Sequence, residues 1–472
     1  MKLLMLCPLA SILCFADLSG AEARRGLETG GSPEPAVTSI AGTSQARPPA
    51  GRVRVVGHSL ADDNGPFLGI GVSYFTALWR CKYDQPRLNK DLAFLAAQGF
   101  NYYRMFSMVG YNGRWDGLEI APVTFTNRAG KRVEAWADYW TQLGCLIDLA
   151  FEKHRLRTQI TIFADAQLMA DKQTRLEHLR KLLTLVVRGR EEKIMLLEVA
   201  NEAWQNGFPG EQGIADLREF ANYLNARTDI PVAITSNHGI AGGFEKTYAG
   251  SNADLATWHF SRDRGPQDGW EPVYDCWDFA DRAGFPPVVS NEPIGPGSSV
   301  ASEKEPIKLV MAAVFAYVAK LPAYVFHSQA GVSGKTQFED TPGIEQFGKI
   351  ISRLPPDLLG WRRMDGKSEE APFRVFAAGQ ADRYGPETDS SRDGCVRNVC
   401  SLKGDRFVSV AIGIRPGGLE IQARQLLHFT AFDPLTGEAA MSADLQPGER
   451  LKLPAGPGAL IIQGHIGRQP DR

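Results

Sequence analysis

The run Ile194-Met195-Leu196-Leu197-Glu198-Val199-Ala200-Asn201-Glu202 is apolar from Ile194 to Val199 apart from one carboxylate, and it ends in an Asn-Glu pair. So short an apolar run predicts a strand buried within a sheet. Before it, Thr174–Val187 predicts a helix, and before that Thr158–Phe163 predicts a β-branched strand. Strand, helix and strand in that order mark parallel strands joined by helical crossovers.

The same rhythm extends in both directions. Towards the N-terminus, Phe67–Ser73 predicts a first strand, Arg87–Gln98 a helix stopped by Gly99, and Asn101–Phe106 a second strand. A long loop follows to about Val133, and the next helix ends near His154. Towards the C-terminus, Val232–Thr235, Leu255–His259 and Pro287–Ser290 predict strands five to seven. Lys304–Ala319 predicts a helix and Ala323–Phe326 strand eight. Eight strands alternating with helices predict an α/β chain folded as a (β/α)8, or TIM, barrel. A doubly wound open sheet would need a glycine-rich phosphate loop after its first strand, whereas Gly69-Ile70-Gly71 lies inside that strand.

After about Gly360 short alternating runs (Phe373–Ala377, Phe407–Ile412, Leu426–Phe432, Ala459–Gln463) are divided by turns such as Pro434-Leu435-Thr436-Gly437. They predict a C-terminal antiparallel β-sandwich, without an aromatic row that would suit it to sugar binding. At the other end, Lys2, the apolar Leu3–Phe15 and Ala21-Glu22-Ala23 predict an export signal. The expected organisation is a signal peptide over 1–23, a flexible tether over 24–50, the barrel over 51–360 and the sandwich over 361–472. The expected location is secreted or periplasmic, with no membrane association after signal cleavage.

The composition narrows the function. A formal charge of −2 supplies no general field for nucleic acid or an anionic membrane. The eight His show no metal-ligand spacing, the cysteines match no zinc pattern, and no G-x-S-x-G elbow is present. No metal, no cofactor and no serine nucleophile are therefore expected. Cys395 and Cys400 are close enough in sequence to close a short hairpin.

Two Asn-Glu pairs remain, Asn201-Glu202 after the fourth strand and Asn291-Glu292 after the seventh. On such a barrel, catalytic groups come from the C-terminal ends of different strands. Two carboxyls about 5–5.5 Å apart are what cleavage of a glycosidic bond with retention requires, one protonated to donate and one ionised to attack.

Glu198-Val199-Ala200-Asn201-Glu202 resembles the strand-four motif of the cellulase and β-mannanase group in clan A of the glycoside hydrolases. Asp254-Leu255-Ala256-Thr257-Trp258-His259 resembles that group's strand-six segment, Val288-Val289-Ser290-Asn291-Glu292 its nucleophile strand, and Arg104 falls where it places an arginine on strand two. The resemblance covers about residues 53–352. It implies Glu202 as acid/base, Glu292 as nucleophile, Asn201 as partner of the sugar 2-hydroxyl, Arg104 as stabiliser of the ionised nucleophile, and His259 lining the reacting subsite.

Trp79, Trp115, Trp204 and Trp258 fall in or beside predicted loops at the site end, where two of the four are expected to stack on sugar. Asp165 is expected to line the cleft or to cap the next turn, and Glu198 to be a structural acceptor. Two departures stand out. The group's tyrosine two residues beyond the strand-six His is Ser261 here, and Val325-Phe326-His327-Ser328-Gln329 lacks the tryptophan that ends strand eight. A serine is too short to reach the nucleophile. Tyr74 or Tyr111 from a loop, or His327, is expected in its place, with a loop tyrosine favoured because it needs no change of backbone. The expected activity is retaining hydrolysis of a β-linked polysaccharide or oligosaccharide, a β-mannan or β-glucan. The alternatives are a non-catalytic carbohydrate-binding protein on the same barrel, or a surface adhesive module.

Overall fold

A computed structural model of the chain describes residues 48–236, 243–260, 269–296, 303–378 and 396–467. The expected signal at 1–23, the tether as far as residue 47, Ser261 and Cys395 lie outside them.

Eight parallel strands make one sheet. In spatial order they are Val232–Ser236, Ile194–Asn201, Arg157–Phe163, Tyr102–Phe106, Gly69–Ser73, Ala323–Phe326, Val288–Ser290 and Ala256–Trp258. These are the fifth, fourth, third, second, first, eighth, seventh and sixth strands of the expected barrel. Between the fifth and sixth, backbone bonds from the Asp254 and Leu255 N–H to the Val232 carbonyl (2.9 and 3.3 Å) join one end only, and side chains complete the seam. The Tyr248 hydroxyl accepts the N–H of Thr235 (3.1 Å) and of Thr257 (3.0 Å) and donates to the Thr235 carbonyl (2.7 Å). At the other end of this seam the Asp254 carboxylate accepts the Val232 N–H at 2.9 Å. Backbone groups left unpaired there would each cost free energy on burial.

Side chains alternate across each strand. On the second strand Tyr102 turns into the barrel, while Tyr103 and Met105 pack outward under the helices. Gly71 makes room for Tyr102, since a Cβ there would lie 2.3 Å from its ring. The glycines of the first strand thus fit the barrel filling rather than a phosphate. That strand begins at Gly69, not Phe67, because Phe67 ends a three-stranded antiparallel sheet over Arg54–Val56, Ser59–Asp62 and Gly65–Phe67. Val53 and Leu60 of this region pack with Tyr102, Leu196, Val289 and Val325, covering apolar residues of the barrel interior.

The helix Pro306–Val318 is buried from Ile307 to its end. An ordinary barrel helix shows solvent a polar face. This one is covered on the outside by the C-terminal sheets, where Val408, Val410 and Ile412 of the strand Arg406–Ile412 join the barrel core. The alternate residues Phe407 and Ala411 face the other way, into a separate core. A six-stranded antiparallel sheet (Arg362–Asp365, Arg397–Lys403, Arg406–Ile412, Ala459–Ile466, Leu427–Phe432, Ala439–Leu445) and a three-stranded one (Phe373–Ala377, Leu419–Ala423, Arg450–Leu453) enclose that core. The Phe373 and Phe407 rings, 5.6 Å apart, join the two sheets. No helix among the described residues is long and apolar enough to cross a membrane.

Candidate active site

Arg104 sits wholly buried on the second strand, and three groups from two other strands converge on it. Its Nε donates to Glu198 Oε2 (3.0 Å), one terminal nitrogen to Glu292 Oε1 (2.6 Å) and the other to Asn201 Oδ1 (2.7 Å). Burial opposes its charge, but the carboxylates of Glu198 and Glu292 outweigh that and hold the guanidinium above the usual arginine range. The planar fork is suited to this, because one point charge could not address three acceptors in different directions. The stacked rings of Phe75 and Phe106, 3.7 Å apart, flank the guanidinium at 5.3 and 5.1 Å.

Glu198 is the second hub. Besides Arg104 it accepts Thr161 Oγ1 (2.6 Å), Thr257 Oγ1 (2.9 Å) and Asn291 Nδ2 (2.7 Å). Gln159 donates to Asn291 Oδ1 at 3.0 Å. Strands two, three, four, six and seven are therefore tied together beneath the barrel mouth. Asn291 was marked from sequence only as the neighbour of Glu292, and Gln159, Thr161 and Thr257 were not singled out as site residues. The available signal was their parity, polar residues recurring on strands whose neighbours are apolar.

Asn201 and Glu202 are consecutive, so on an unbroken strand they would point to opposite faces. The break comes at Glu202, whose φ is +39°. The ladder persists through its N–H, bonded to the Ser236 carbonyl at 3.0 Å, and the chain then turns, held by Asn206 Nδ2 on the Asn201 carbonyl at 2.8 Å. A left-handed non-glycine residue costs on the order of 1–3 kcal/mol, which the surrounding bonds must offset.

His259, one residue past the sixth strand, lies between the two carboxylates. Its Nδ1 is 3.3 Å from Glu202 Oε1 and its Nε2 3.7 Å from Glu292 Oε1. One oxygen of each glutamate and a His259 nitrogen all fall within 4.8 Å of one another. These three could in principle ligate a cation, but the Arg104 charge already bonded to Glu292 opposes one. At the end of the eighth strand, where the resemblance calls for tryptophan, His327 Nε2 stands 3.9 Å from Glu292 Oε2, and Ser73 Oγ lies 2.8 Å from its Nδ1.

Tyr74, proposed from sequence as a partner for the nucleophile position, is not one. Its hydroxyl donates to Asp91 at 2.6 Å, on the helix Gln85–Ala97. Tyr111 is half-buried against the barrel core, with its N–H on Asp165. Of the three candidates the described residues bring His327 to Glu292. The imidazole needs no loop to reach it.

The tryptophans divide. Trp258 is buried outside the barrel, stacked with Phe279 at 5.8 Å, since Thr257 takes the inward position. Trp115 is buried edge-on to Phe106. Both serve packing there. Trp204, two residues after Glu202, is 44% exposed, and Trp79 is half-buried beside Tyr83.

Asp165 fastens the long loop after the second strand rather than lining the cleft. It accepts the N–H of Gly110 (2.7 Å) and of Tyr111 (3.1 Å). Burial pushes its carboxyl up to about 6, against the pull of those donors. A carboxyl raised in the folded state contributes stability that is whole below its unfolded value of 3.8 and is lost as pH rises through about 6. The difference corresponds to roughly 3 kcal/mol. Asp165→Asn keeps an acceptor for the loop and removes the charge. Urea unfolding of this variant is expected to vary less between about pH 4 and 7 and to show greater stability at neutral pH. An unchanged pH dependence would mean that the carboxylate is not under strain.

No family model matches the chain, and no curated protein does. Solved structures do. A glycoside hydrolase is similar over 89% of this chain and 98% of its own, at 12% identity and a TM-score of 0.63. A glycoside hydrolase family 5 protein from Bacteroides vulgatus is similar over 88% of this chain and 94% of its own, at 13% identity and a TM-score of 0.62. At these identities the likeness is one of fold.

Proposed function

We propose that the chain is a retaining β-glycosidase in which Glu292 attacks the anomeric carbon and Glu202 serves as acid and then base. The observation that carries this reading is the approach of one oxygen from each carboxylate to within 4.8 Å at the barrel mouth. Retention needs about 5–5.5 Å, whereas inversion leaves about 6.5–9.5 Å for a water. The two groups also differ in their surroundings. Glu292 is bonded to the buried Arg104 cation, which favours the ionised form that attacks. Glu202 is the more accessible carboxyl and lies against His259.

In the first step the Glu292 carboxylate forms a bond to the anomeric carbon as the glycosidic C–O bond breaks, and the Glu202 proton passes to the departing oxygen. In the second, water attacks that carbon and yields a proton to Glu202, while the bond to Glu292 breaks and restores the carboxylate. Asn201, anchored by Arg104, would meet the sugar 2-hydroxyl. An exported enzyme of this kind would act on an extracellular or periplasmic glycan, with a β-mannan or β-glucan as the proposed substrate.

The test is the anomer released first. Proton NMR of aryl β-glycoside hydrolysis is expected to show the β sugar appearing before mutarotation. Initial release of the α sugar would refute double displacement. Saturable binding without turnover would leave a carbohydrate-binding protein on this barrel.

A further inference from the structure

Beside the barrel mouth, three aromatic rings form a preset corner that the reaction does not use. Trp79 and Tyr83 lie on the helix Ala77–Tyr83, which follows the first strand, and Trp136 ends the long segment that follows the second. Both walls therefore leave the same end of the barrel that carries Glu202 and Glu292. Tyr83 stands edge-on to Trp136, with centroids 5.5 Å apart and planes at 86°, and is 5.2 Å from Trp79. These residues line a groove of about 550 Å³. Tyr83 is 55% exposed, an unusual position for so large a ring.

The corner is braced by its neighbours, among them Lys82, which also lines the groove. Lys82 Nζ lies 4.8 Å over the Trp136 ring and is paired with Asp138. The Trp136 backbone N–H bonds the Ala121 carbonyl at 2.8 Å. The remaining charges along the groove are also matched locally, Glu119 with Lys131 (2.8 Å) and Glu134 with Arg132 (2.6 Å). Apolar faces backed by neutralised charge suit a ligand that is itself uncharged, with C–H faces to stack and hydroxyls to bond. Such faces also lose little freedom on binding.

We propose that this groove binds an uncharged stretch of β-linked glycan, holding a polymer chain outside the reacting subsite. The identity of the ligand rests on the glycosidase reading, while the existence of the site does not. The experiment uses the full chain and two readouts. One is retardation in native gels containing galactomannan, mixed-linkage β-glucan or carboxymethyl-cellulose. The other is hydrolysis of those polymers and of an aryl β-monoglycoside. Tyr83→Ala, at an exposed position, is expected to weaken retention by a neutral polymer and raise KM for it about tenfold. It should leave kcat/KM on the monoglycoside within about twofold, and Tyr83→Phe should keep both properties because stacking needs the ring. Trp136→Ala should repeat the loss. If the chain hydrolyses nothing but Tyr83→Ala still abolishes retention, the groove stands and the glycosidase reading falls. Unchanged retention in both alanine variants overturns the proposal. So does equal loss on long and short substrates, preference for the anionic polymer, or no retention of the unaltered chain by either neutral polymer.

Discussion

Glu292→Ala is expected to lower turnover of an aryl β-glycoside by about 10⁴-fold or more, with little effect on folding. The loss is this large because the carboxylate is a bonding partner in the proposed reaction, and no other described carboxylate takes its place between Arg104 and His327. Removing it leaves Arg104 bonded to Glu198 and Asn201, so the cation keeps partners and the barrel keeps its tie. Added azide can enter the vacated space and form a bond to the anomeric carbon, giving a glycosyl azide of inverted configuration. Glu202→Ala should behave differently. A good aryl leaving group departs without a proton donor, so the first step survives and the second slows. Azide should then release a product of retained configuration. The stereochemistry of the two products separates the roles, and near-normal rates on a natural glycan in both variants would remove them.

Arg104→Met is expected to cost about 3–5 kcal/mol of stability, since it removes the cation between two buried carboxylates and leaves both without their charged partner. The catalytic effect is a distinct readout. A carboxylate deprived of its neighbouring cation holds its proton to higher pH. The acidic limb of kcat/KM against pH should therefore move upward in whatever fraction folds. Arg104→Lys should restore little, because an ammonium cannot span Glu198, Glu292 and Asn201 together. Chemical denaturation and the pH profile are measured on the same preparations. A stable Arg104→Met protein with an unmoved acidic limb would mean that Arg104 neither supports the fold nor holds Glu292 ionised.

His327 has an intermediate standing in this scheme. It faces Glu292 Oε2 while Arg104 bonds Oε1, and Ser73 holds its other nitrogen. Its position follows from the end of the eighth strand, where Gly295 allows close approach: a Cβ there would lie 1.6 Å from the His327 carbonyl oxygen. The two segments can meet only without that side chain.

By itself the sequence determined the alternation of strands and helices, the buried character of Ile194–Val199, and the placing of Glu202 and Glu292 after two of the strands. These are readable because they rest on short-range periodicity and on breaks in it, which neighbouring residues decide locally. The change to short alternating strands after Gly360 is readable for the same reason. Only the tertiary structure decided which side chains meet. Glu198 takes its partners from residues 37 to 94 positions away, and that choice depends on strand order and on the width of the closed barrel. The same holds for Tyr74, drawn to Asp91 by a helix packed beside it, and for Trp258, turned outward because Thr257 faces in. It holds again for Pro306–Val318, a helix apolar but for Lys308, whose buried faces make sense only once a second layer covers them. Local pattern specifies which face of an element is apolar, and packing across the chain specifies what that face touches.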